Sequence, residues 1–105
     1  MPRRTRKADH GHGRSEIHER PELQPVIDRA KRRLGLRLLG LRKGRKLTLE
    51  QAAERIGVHP NHLQRIEAAK ANVTISTLAA LSFAYGVPLH SLFDAGAATR
   101  STSSR

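Results

Sequence analysis

Side chains able to do covalent or metal chemistry are few in this chain, and they lack the company such chemistry needs. There is no cysteine among the 105 residues, so there is no disulfide framework, no thiolate metal site and no cysteine nucleophile. His59 and His62 stand three apart, and His10 and His12 flank Gly11. A protein-bound metal needs three or four convergent ligands, and neither pair has a third, so both read as surface imidazoles and no metal site is expected. Glu50 and Glu54 share one helical face and read as solvated acids. No glycine-rich phosphate loop and no nucleophile with a placed base is present, so neither an enzyme nor a cofactor is expected. What the sequence does supply is positive charge: 20 Lys and Arg against 9 Asp and Glu, a formal net charge of +11. That balance points to a polyanionic partner.

The charge is concentrated. Residues 21–47 hold nine bases (Arg29, Lys31, Arg32, Arg33, Arg37, Arg42, Lys43, Arg45, Lys46) and only two acids, whereas residues 48–93 hold three of each. A solubilising surface mixes signs, so this bias favours a polyanion-facing surface. Residues 1–20 have almost nothing apolar and read as a disordered basic arm; residues 94–105 read as a disordered tail. The bases at Arg3, Arg4, Arg6 and Lys7 are followed by no apolar run, so they do not form a secretory signal. Between Val73 and Phe93 there is no acid, Lys or Arg, but Gly86-Val87-Pro88 and several hydroxyls interrupt the stretch. It reads as the interior of a small helical domain, and no membrane association is expected.

These groups must be positioned by helices. At 37% hydrophobic and 3% aromatic residues, the chain supports one modest core built from aliphatic side chains. Val26, Ile27, Ala30, Leu34, Leu38 and Leu41 mark one face of a helix from about 25 to 43, with Gly44 as its expected stop and Gly35 and Gly40 as weak points. Thr48-Leu49-Glu50-Gln51 fits a capping box opening a second helix that ends at Gly57. Pro60 opens a third helix to about Ala68. Thr74 caps a fourth, with Leu78, Leu81 and Phe83 or Ala84 inward and Gly86 as its stop; Pro88 opens a short fifth. The reading is an all-α, compact five-helix domain over residues 21–93.

The densest pattern runs from Thr48 to Glu67. Two helices are separated only by Gly57-Val58-His59, with Ala53 four residues before the glycine. A tight turn of this kind needs a positive φ at Gly57 and a small side chain where the helices cross, and Ala52, Ile56, Val58, Leu63 and Ile66 supply the shared core.

In these residues the chain resembles the Cro/repressor-type (XRE-like) helix-turn-helix DNA-binding family, whose fold is lambda-repressor-like. The resemblance spans residues 34–93. It rests on Leu34-Gly35-Leu36-Arg37-Leu38 with Leu41-Arg42-Lys43, then Leu47-Thr48 through Ala52-Ala53-Glu54-Arg55-Ile56-Gly57-Val58. Leu63-Gln64-Arg65-Ile66-Glu67 and the ending Gly86-Val87-Pro88 with Leu92-Phe93 complete it. The resemblance implies that the helix from Pro60 enters the major groove of duplex DNA, placing His59, Pro60, Asn61, Gln64 and Arg65 at base edges. Asn61 suits adenine and Arg65 suits guanine as bidentate partners. Lys70, Asn72, Thr48 and Lys43 are expected phosphate contacts, and Arg42 and Glu67 occupy positions that form a structural ion pair in the family. The chain departs from the family pattern at Leu49, where glutamine is usual, at Ala69, where glycine is usual, and at His59, where a serine or threonine cap is usual.

The resemblance implies a cytoplasmic, nucleoid-associated transcription regulator that binds a palindromic operator as a homodimer. The alternative is an antitoxin or bridging module that holds a protein partner such as a toxin and binds DNA secondarily.

Overall fold

The computed structural model describes residues 20–94, and every element within them is helical. The arm, the tail and the His10-Gly11-His12 pair lie outside the described residues, apart from Arg20 and Asp94. A 3-10 turn over Pro21–Leu23 leads into α1 (Gln24–Gly44), followed by α2 (Leu49–Ile56), α3 (Pro60–Glu67) and α4 (Ile75–Tyr85). The expected fifth α-helix is a 3-10 turn, Leu89–Phe93. The amides of Ser91 and Asp94 donate three residues back, to Pro88 and Ser91. So short a piece completes only these tight i→i+3 bonds, and it suffices to bury Leu92 fully.

The core joins one row from each element. Leu34 and Leu38 of α1 meet Ala52, Ala53 and Ile56 of α2, Leu63 and Ile66 of α3, Leu78, Leu81 and Tyr85 of α4, and Leu92. α1 packs on α3 and on the final 3-10 turn, while α2 packs on α3 and α4. Burying each large aliphatic side chain contributes about 1.5–3 kcal/mol. Val58 is half-buried against this cluster.

Helix ends follow the capping chemistry, and the inward face of α4 needs one correction. Thr48 Oγ1 accepts from the Gln51 amide at 3.0 Å while Gln51 Oε1 accepts from the Thr48 amide at 2.9 Å, completing the capping box. Gly57 takes φ +93°, and a Cβ there would meet nothing within 4 Å, so backbone conformation alone calls for glycine. α1 likewise stops at Gly44, its last helical residue, with Arg45 as the C-cap. The chain reverses two residues later at Lys46, φ +57°, where the amides of Lys46 and Leu47 donate to the carbonyls of Lys43 and Arg42. This later reversal seats Leu47 against the core and brings its carbonyl within 3.0 Å of the Arg42 guanidinium. In α4, Phe83 is 89% exposed, while Ala84 packs half-buried against the core and Tyr85 is buried. Position 85 continues the row of Leu78 and Leu81 at helical spacing, whereas position 83 falls half a turn away.

Candidate nucleic-acid interface

α3 is fixed chiefly at its C-terminal end. Arg42 reaches from α1 and donates to Glu67 through Nε at 2.8 Å and through a terminal nitrogen at 3.1 Å, a bidentate pair. The two side chains are only 14% and 7% exposed. Those hydrogen bonds hold the Arg42 guanidinium above its ordinary range against the opposing effect of burial. Seven residues earlier on the same face of α1, Gly35 lies directly against the backbone of α3. A Cβ there would overlap the Glu67 carbonyl oxygen and come within 2.9 Å of the Ile66 carbonyl oxygen. One helix face thus meets Glu67 twice, by close backbone approach and by charge. The role of Gly35 was readable in principle: glycine stands between core leucines, in register with Arg42.

The N-terminal end is arranged differently. His59 caps α3, its Nδ1 accepting from the Asn61 amide at 3.2 Å. Pro60 has no amide hydrogen, and the His62 and Leu63 amides donate to the His59 carbonyl at 3.0 and 3.1 Å. The backbone donors of this helix start are therefore committed internally, leaving side chains to do any recognition. His59, Asn61, Gln64 and Arg65 are exposed and Pro60 is half-buried. Asn61, Gln64 and Arg65 occupy one helical face, turned from the Leu63 and Ile66 row.

Arg65 also donates to the Lys70 carbonyl at 2.7 Å, which ties the expected base-reading arginine to the loop carrying Lys70 and Asn72. That loop opens with Ala69 at φ +64°, the Lys70 amide donating to the Arg65 carbonyl and the Ala69 amide to that of Ile66. This is a Schellman ending with alanine where glycine would be unstrained. Lys70, Asn72, Thr48 and Lys43 are all exposed. Asn72 shares a groove with Ile27, Ala30 and Lys31, so the loop lies beside the upstream half of α1.

Two further residues organise the site without having stood out in the sequence. Arg37 donates to the Ser91 carbonyl at 3.0 Å and pins the final 3-10 turn to α1. Tyr85 buries its ring under Arg45, whose guanidinium carbon sits 5.2 Å from the ring centroid. The Tyr85 hydroxyl is buried without a hydrogen-bond partner among the described residues, and its pKa is raised, first by burial and then by the charge of Glu67.

Among the described residues no group of three His, Asp or Glu side chains converges, and no helix is long and apolar enough to cross a membrane. A search of curated proteins returned no match to the chain. A helix-turn-helix family profile matches residues 39–92, from the second half of α1 to the final 3-10 turn. That span holds the bidentate Arg42–Glu67 pair, the Gly57 turn and the exposed face of α3, and with it the chain belongs to the XRE-type helix-turn-helix family of DNA-binding, non-enzymatic regulators.

Proposed function

We propose that the protein is a sequence-specific transcription regulator that reads a palindromic operator as a homodimer through α3. The observation that carries this reading is the state of the α3 start: its backbone donors are used internally, while Asn61, Gln64 and Arg65 stand exposed on one face. Such a helix recognises by side chains at base edges, with Asn61 directed to adenine, Arg65 to guanine, and His59, Pro60 and Gln64 completing the contact set. Lys70, Asn72, Thr48 and Lys43 hold flanking phosphates, and the basic arm adds nonspecific affinity. A cytoplasmic, nucleoid-associated location goes with this function.

The homodimer draws support from α4. Ile75 and Phe83, 71% and 89% exposed, lie with Ala79 along one outward face that has no ionisable group. Two copies each carrying +11 meet with least repulsion at a neutral face. The same face would serve a bridging or antitoxin role if a different protein occupied it.

Affinity selection of the purified protein on fragmented genomic DNA at near-physiological salt tests the reading. An enriched palindrome with half-sites about 34–36 Å apart, or a multiple of that spacing, is expected. Uniform recovery of all fragments overturns sequence specificity, and an enriched single half-site overturns the dimer.

A further inference from the structure

Because Pro60 has no amide hydrogen, Asn61 supplies the first backbone donor of α3, and the His59 imidazole takes it, Nδ1 accepting at 3.2 Å. A backbone amide always carries its hydrogen, so Nδ1 must hold a lone pair there. A ring turned over about its Cβ–Cγ bond would set a carbon against the amide and lose the cap. The one proton of the neutral ring therefore sits on Nε2. The other capped helix starts impose no such choice. Thr48 and Thr74 accept from the Gln51 and Thr77 amides at 3.0 and 3.1 Å through a hydroxyl, a single atom that can accept and donate at once. Imidazole separates the two functions onto two edges of a rigid ring. His59 is exposed, and among the described residues the cap is the one hydrogen bond its ring makes.

We propose that His59 contacts DNA as a donor only: the cap locks its Nε2–H tautomer, and that N–H meets an acceptor atom of the duplex at the N-terminal end of α3. The acceptors open to it are guanine N7 and O6, adenine N7, thymine O4 and the phosphate oxygens. Adenine N6 and cytosine N4 are themselves donors and are refused. Guanine, with two adjacent acceptors and no donor in the major groove, suits a lone N–H best. The reading face of α3 then divides by chemistry. Asn61 and Gln64 carry amides that both donate and accept, whereas His59 and Arg65 only donate, and Arg65 already spends one N–H on the Lys70 carbonyl at 2.7 Å. The contact with DNA rests on the reading of α3 as the recognition helix; the tautomer rests on the cap alone.

Long-range proton–nitrogen NMR of the isotope-labelled full-length protein, at a pH where the imidazoles are neutral, reads the tautomer directly. His59→Ser identifies the His59 signals by their loss. A bare Nδ1 and a protonated Nε2 are expected; a protonated Nδ1, or the averaged shifts of an unconstrained ring, overturns the proposal. Competition binding then compares the parent with His59→Ser, which keeps a capping acceptor and removes the outward imidazole donor. Thermal melting checks the cap, and His59→Thr repeats the comparison if serine lowers the melting temperature. The variant should bind the preferred duplex about 2- to 10-fold more weakly, as loss of one neutral hydrogen bond predicts. A loss confined to one base position, and reproduced in the parent by a guanine analogue with carbon in place of N7, puts the donor on a base edge. An equal loss on every sequence puts it on phosphate. Unchanged affinity on every duplex, in a variant that melts like the parent, overturns the donor role. Failure of the operator reading looks different: the parent then selects no sequence, while His59 still shows the Nε2–H tautomer.

Discussion

At its C-terminal end, α3 is held by α1 through backbone contact at Gly35, through the bidentate Arg42–Glu67 pair, and through the packing of Ile66 into the shared core. At its N-terminal end the same helix is held by Leu63 and by its own cap, with His59, Asn61 and Gln64 exposed, and Arg65 of the last turn shares their outward face. The difference separates two demands on one eight-residue helix. A reading helix needs a fixed orientation, which one secured end supplies, and it needs side chains free to meet an outside partner, which the other end keeps. Mutations at the two ends should therefore fail in different ways: loss of stability at one, loss of selectivity at the other.

The largest effect is expected at Gly35. Helix propensity alone would make Gly35→Ala favourable by up to about 1 kcal/mol. Overlap with the Glu67 carbonyl reverses the sign, and forcing α1 off α3 should cost about 3 kcal/mol. Gly40 is the internal control. It lies in the same helix, is exposed, and a Cβ there meets nothing within 4 Å, so Gly40→Ala should stabilise by about 0.5–1 kcal/mol. Urea unfolding of the two variants checks both signs. Equal shifts in the same direction would remove Gly35 from the account of how α3 is held.

Arg42→Met leaves the Glu67 carboxylate buried without its partner and should cost about 3 kcal/mol. Adding Glu67→Leu should recover part of that loss, because the double variant no longer buries an unpaired charge. If the double variant is less stable than the single, the pair contributes more than its desolvation costs, and the secured end is electrostatic rather than a matter of shape. Asn61→Ala/Arg65→Ala probes the outward face of the helix. It should unfold within about 0.5 kcal/mol of the parent, as exposed positions do, yet lose about 1–3 kcal/mol of base discrimination per side chain in competition binding. Unchanged site preference would remove Asn61 and Arg65 from the reading set.

The two ends also differed in how far the sequence disclosed them. Thr48, Gln51, Gly57, Pro60 and Thr74 act through local chemistry that spacing reveals, and the structure places each as a cap, turn or first helical residue. Gly35 and Tyr85 act through helices distant in sequence, so local pattern marked Gly35 only as a weak point and, in weighing Phe83 against Ala84 as the inward position of α4, passed over Tyr85. The stop of α1 at Gly44 was legible, but the reversal at Lys46 that follows it was not, for the same reason. Lys46 takes the strained conformation because Leu47 must reach the core and the Arg42 guanidinium, a requirement that the residues from Gly44 to Lys46 do not carry. The base contacts of α3 rest on an absent partner, so an exposed face is as far as the fold itself goes.

Tyr85 links the core to the charge on Glu67. Its phenol is buried without a partner, so Tyr85→Phe should stabilise by about 1 kcal/mol at neutral pH. The folded state holds the phenolic proton to higher pH than the unfolded chain does. Stability from that difference is complete below the unfolded pKa of about 10 and falls as pH rises through it. The parent should lose stability more steeply than Tyr85→Phe above about pH 10. Parallel pH profiles would show that the ring is not the group responsible.

Ala69 joins the secured end of α3 to the loop that Arg65 touches. At φ +64° its Cβ is in the left-handed conformation that costs an L-residue about 1–2 kcal/mol, and glycine would relieve it. Part of the gain is offset because glycine gives the unfolded chain more freedom, so Ala69→Gly should stabilise by about 0.5–1 kcal/mol net. The reverse change at Gly86, which has the same φ of +64° with glycine already in place, should destabilise by a similar amount. The Schellman bonds from Lys70 and Ala69 use backbone groups only, so glycine retains them along with the reach of Arg65 to the Lys70 carbonyl. DNA site preference should then be unchanged while the melting temperature rises. If preference shifts with the backbone relaxed, the strain at Ala69 is what aims Arg65, and the outward face of α3 is set by the loop as well as by the helix.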